Sequence, residues 1–127
     1  MYEEQAIDEN LEDPALATEI AQEKMGLVDP EGIIPQHAGC GIVPRDRDAT
    51  VTRDAASPNA ARQRSGSSTS CTTLGVLQPS DDANYYCFTV GNDRFTWTYL
   101  RNLRTGVRGW TRDDLLRDRG SFVYCGF

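Results

Sequence analysis

The sequence predicts a mainly β domain, a small barrel of about five short strands with an acidic helical extension in front of it. Three observations point there. Short aromatic and β-branched runs alternate with turn residues between 85 and 111. The charge changes sign after residue 31. The four cysteines, Cys40, Cys71, Cys87 and Cys125, all lie in the part that follows.

The strand run is the clearest element. Tyr85, Tyr86, Phe88, Thr89 and Val90 are types that suit a half-buried pleated surface. Gly91-Asn92-Asp93 supplies turn chemistry, because Gly and Asn tolerate positive φ and Asp bonds its own backbone. Phe95 to Tyr99 runs back, with Phe95, Trp97 and Tyr99 on one face and Thr96, Thr98 and Leu100 on the other. Arg104-Thr105-Gly106 makes a second turn and Val107 to Thr111 a third run, the spacing of a meander. Most of these rings are expected to be core. Before the meander, Thr50-Val51-Thr52 reads as a short strand, and 60–71 as a polar Gly/Ser loop leading into a strand from Thr72 to Leu77. After it, Asp113 to Leu116 reads as a helical corner and Phe122 to Cys125 as a last strand.

Residues 3–25 read as helix. Asp13 is a candidate cap ahead of Pro14, and Leu16, Ile20, Ala21 and Met25 form a thin apolar stripe that Gly26 ends. Residues 26–48 are rich in Gly and Pro and read as a linker. The expected organisation is therefore an acidic extension or tail over 1–31, a linker over 32–48, and the barrel over 49–127.

Residues 1–31 hold ten acids and one Lys, a net of −9; residues 32–127 hold twelve Arg and nine Asp, a net of +3; together they make −6. A body of +3 with interspersed Asp is too weakly basic for nucleic acid. Mean hydropathy is −0.53, and no run approaches the roughly 20 apolar residues of a membrane helix. An even set of cysteines in a small domain argues for two disulfides and an oxidising compartment. Met1 is followed by acids, without the basic and apolar regions of a signal peptide, so this start is expected not to be the natural one.

No catalytic or metal set stands out. His37 is the one histidine, and no Cys-x-x-Cys pair accompanies it. Gly39-Cys40-Gly41 lacks the Gly-Lys-Ser/Thr of a phosphate loop. Asp113-Asp114 reads as a polar corner rather than an acid and base pair. No enzyme activity, metal or cofactor is expected.

Taken in order, the pieces resemble a bacterial SH3-like (SH3b) domain. Arg64-Ser65-Gly66-Ser67-Ser68-Thr69-Ser70 is similar to that family's Arg-Ser-Gly-Pro-Ser-Thr run, and Leu74-Gly75-Val76-Leu77 to the strand after it. Asp81, Trp97 and Gly106-Val107-Arg108-Gly109-Trp110-Thr111 follow in the family's order. Ala61, Gln63, Ser67 and Ser80 depart from it, standing where apolar residues, Pro and Gly are usual. The likeness covers about residues 49–116. Within the family the chain most resembles small secreted actinobacterial proteins with paired cysteines. The resemblance implies that first and last strands meet, and with them the disulfides Cys40–Cys125 and Cys71–Cys87. It also implies an extracellular or cell-wall module, monomeric, binding a peptidoglycan peptide or a cell-surface protein. The expected site is a groove between the 64–70 loop and the 94–97 hairpin, with Arg64, Asp93, Tyr99 and Arg101 as ligand-binding residues. The alternative is a secreted, disulfide-stapled antimicrobial, toxin-like or inhibitor protein acting on another protein.

Overall fold

A computed structural model describes residues 14–26, 38–49, 51–52 and 60–127. The mainly β expectation holds. Helix α1 (Pro14–Met25) precedes strands β1 (Val51–Thr52), β2 (Ala61–Arg64), β3 (Thr73–Leu77), β4 (Ala83–Val90), β5 (Thr96–Asn102) and β6 (Arg108–Arg112), and a 3-10 turn follows at Asp113–Leu115. The strands form one open antiparallel sheet in the order β1-β4-β5-β6-β2-β3, with two-residue β1 extending its edge. The segment read as a final strand meets the sheet in a single parallel bridge, Phe88 with Tyr124. Strand β2 lies where a polar loop was expected. Its residues Ala-Arg-Gln-Arg carry little β propensity. Pairing with β3 and β6 makes it a strand. The Asp13 cap and His37 lie outside the described residues.

Both faces of β5 are buried except at Arg101, with successive side chains pointing to opposite sides. On one face Trp97 and Tyr99 pack with Trp110, Ala38, Cys87 and Cys125. On the other, Leu100 packs with Leu77, Ala83, Tyr85 and Leu116. Helix α1 seats its buried Ala17, Ile20, Ala21 and Lys24 on that second side, against β5 and the 3-10 turn.

Residues 38–49 form a strap across the first face. Gly41 N–H donates to Ser65 O, Arg47 N–H to Tyr86 O, and the Trp110 indole to Ile42 O at 3.0 Å. Ser67 anchors the start of this strap. Its N–H donates to Ala38 O, and its hydroxyl accepts from Ala38 N–H at 2.7 Å. Proline at position 67 would have neither group, so these two bonds require a residue with both an N–H and a hydroxyl there.

The disulfide pairing corrects the expectation of Cys40–Cys125 and Cys71–Cys87. The bonds are Cys40–Cys71 and Cys87–Cys125. The strap crosses beside the 65–71 loop, which brings Cys40 to Cys71. The chain end runs along β4, where Phe88 N–H donates to Val123 O and Cys125 N–H to Phe88 O, and this brings Cys125 to Cys87.

Candidate binding face

The two walls of the expected groove are joined by hydrogen bonds at Ser67. Asn92 N–H, in the β4–β5 turn, donates to Ser67 O at 3.3 Å, and the Ser67 hydroxyl donates to Val90 O. The 64–70 loop and the hairpin thus touch where a ligand was expected to sit. Arg64 is 5% exposed and donates from Nη1 to Cys71 O at 2.9 Å, holding the loop that carries the first disulfide. Asp93 serves the turn. Its Oδ1 accepts from Phe95 N–H and the Trp97 indole, and its Oδ2 lies 3.7 Å from Arg112. Gly91 is required beside it, because a Cβ there would stand 2.3 Å from Trp97 Nε1.

The other two candidates come together. Tyr99 and Arg101 share one face of β5, two residues apart. Across the strand pair, Tyr99 opposes Trp110 and Arg101 opposes Arg108. A bulge between Tyr85 and Cys87 displaces Tyr86 in β4. Its ring meets Tyr99 edge-on at 5.1 Å, Tyr99 meets Trp110 at 5.2 Å, and Trp110 meets Phe127 at 6.3 Å. The result is an aromatic row whose half-buried ends are Tyr86 and Phe127, with exposed Arg101 and Arg108 beside it. Burial raises the Tyr99 phenol above its ordinary pKa, and Arg108 opposes that shift. Tyr99 is only 4% exposed, so it braces Tyr86 more than it offers surface of its own. The strap adds exposed Ile42 and Val43 at the Trp110 end.

Sequence reading missed Arg108 and Tyr86 as partners of Tyr99 and Arg101. The register that opposes Arg101 to Arg108 follows from the Arg104-Thr105-Gly106 turn, where Gly106 N–H donates to Asn102 O. The signal was present as two arginines flanking a turn. The bulge that moves Tyr86 left none.

A second concavity, about 560 Å³, opens between α1 and the β4–β5 turn and is lined by Ala21, Met25, Arg94 and Phe95 among others. Its walls are mainly apolar, and of the expected site residues it contains only Asp93.

Three further described aspartates stand in ion pairs. Asp113 pairs with Lys24, Asp114 with Arg112 Nε at 2.6 Å, and Asp81 with Arg104 Nε at 2.6 Å. The adjacent acids Asp113 and Asp114 thus serve separate ion pairs. No protein-family model matches the chain, and neither the curated proteins nor the solved structures contain a match to it.

Proposed function

We propose that the chain is a non-enzymatic, extracytoplasmic binding module that takes a carboxylate-bearing peptide of cell-wall peptidoglycan on the Tyr86–Arg101–Arg108 face. The observation that carries this reading is the opposition of Arg101 and Arg108. Like charges directly across a strand pair oppose folding, and an anion between them relieves that cost. Guanidinium groups bind carboxylates in a planar fork, and the aromatic row next to them offers area to the rest of a short peptide. Wall stem peptides combine small apolar side chains with free carboxylates, which fits both halves of the face. The SH3b resemblance supports the same ligand class, and two disulfides are compatible with an oxidising compartment.

Co-sedimentation with purified peptidoglycan tests the reading. The oxidised protein is expected to pellet saturably, and Arg101→Ala with Arg108→Ala to stay in solution. Wild-type protein that remains in the supernatant with every wall type contradicts it. Capture of a folded wall hydrolase instead would favour the inhibitor alternative.

A further inference from the structure

We propose that Lys24 and Asp113 react with each other to form an intramolecular amide, joining α1 covalently to the sheet. The two side chains are 0% and 1% exposed, and Lys24 Nζ lies 2.7 Å from Asp113 Oδ2. Two backbone carbonyls, Arg119 O and Ser121 O, accept hydrogen bonds from the same nitrogen. With two N–H groups held by those carbonyls, the remaining direction at Nζ is toward the Asp113 carboxyl. The rings of Phe122 and Phe88 flank the nitrogen, 4.6 and 5.0 Å from their centroids.

The carboxyl is held as firmly as the amine. Thr98 donates its hydroxyl to Asp113 Oδ1, and Ser121 N–H donates to the Thr98 hydroxyl oxygen. Gly120 has φ +77°, and a Cβ there would stand 2.3 Å from Asp113 Oδ1, so the loop closes on the carboxyl only with glycine. Burial raises the Asp113 pKa above its ordinary value, against the pull of Lys24, and so favours its acid form. A second buried carboxyl, Asp48, accepts from the Ser121 hydroxyl at 2.7 Å and fixes the residue whose carbonyl holds Lys24.

The step needs no co-reactant. A proton passes from the Lys24 ammonium to the Asp113 carboxylate, leaving an amine and a carboxylic acid. The Nζ lone pair forms a bond to Asp113 Cγ. Charge develops on Oδ1, where the Thr98 hydroxyl stabilises it. The Cγ–Oδ2 bond breaks, and Oδ2 leaves as water with the acid proton and one proton from Nζ. Fixed proximity in a buried site supplies the rate, and the product replaces two buried charges with a neutral amide.

Intact mass under denaturing conditions decides the matter on full-length protein made in an oxidising compartment. The expected mass is one water short of the disulfide-bonded sequence, and a protease digest is expected to yield a branched peptide joining the Lys24 and Asp113 segments. Lys24→Met is expected to restore the full mass; should that variant not fold, the branched wild-type peptide decides. Full mass in wild-type protein with both disulfides formed overturns the proposal. So does a water loss that survives in Lys24→Met or that hydroxylamine reverses, since either marks a cyclic imide at an aspartate.

Discussion

Arg101 stands directly opposite Arg108 across β5 and β6, and two residues further along the same face Tyr99 opposes Trp110. This arrangement separates binding from stability. Replacing Arg108 by Thr removes a like-charge pair, so it is expected to raise stability by about 0.2–1 kcal/mol while weakening ligand binding. Urea midpoints and co-sedimentation on the same variant check both signs.

Arg64 behaves in the opposite way. It is buried and ties the 65–71 loop through Cys71 O. Arg64→Ala leaves a buried carbonyl without this donor, a cost of about 1–3 kcal/mol. Its ligand affinity, measured where the variant is folded, is expected to match wild type. A selective loss of affinity with unchanged stability would return Arg64 to the binding surface.

The two disulfides close spans of 31 and 38 residues. Loop-closure entropy gives each about 4 kcal/mol of stabilisation. Non-reducing peptide mapping is expected to find Cys40–Cys71 and Cys87–Cys125. Replacing Cys87 and Cys125 by Ala is expected to lower stability by roughly that amount and to free the chain end from β4, which thermal unfolding and proteolysis of the last residues would record.

Lys24 holds α1 to the sheet. Until an amide forms, the two side chains are a buried ion pair, and removing one partner leaves the other uncompensated, so Lys24→Met alone is expected to destabilise by about 3–5 kcal/mol relative to wild-type protein without the cross-link. Lys24→Met combined with Asp113→Leu is expected to recover much of that loss, because no charge is then left in the socket. A double variant no better than the single one would show that the pair's geometry, rather than its charge, holds the helix.

Asp81 predicts the acid limb of stability. Burial pushes its carboxyl upward, but Arg104, Gln78 N–H and the Asn102 amide together hold it below its ordinary value of 3.8. A carboxyl depressed in the folded state adds stability above its unfolded pKa and loses it as pH falls through the folded value. Wild-type urea midpoints are therefore expected to drop from about pH 4 downward, and Asp81→Asn to lack that part of the decline.

What could be read from the sequence depended on where the signal lay. Strands β4, β5 and β6 were legible because their aromatic and β-branched residues alternate between Gly- and Asn-containing turns. The turn register then placed Tyr99 and Arg101 on one face. Strand β2 was hidden, since Ala-Arg-Gln-Arg becomes a strand only through its partners. The disulfide pairing was hidden for a similar reason. It depends on where the 38–49 strap crosses and where the chain end runs, and both paths are fixed by long-range bonds such as Trp110 to Ile42 and Cys125 to Phe88. Lys24 lies four residues after Ile20, in line with Leu16 and Ile20, but nothing in the sequence names its partner. Its burial depends on Asp113, 89 residues away.

The most direct test of the binding face is a two-dimensional NMR titration of the oxidised protein with a soluble wall stem peptide. Saturable shifts are expected at the amides of Tyr86, Tyr99, Arg101 and Arg108, with the Met25 and Phe95 amides on the α1 side unmoved. Shifts centred on Met25 and Phe95, or none at millimolar peptide, would contradict the proposed binding face.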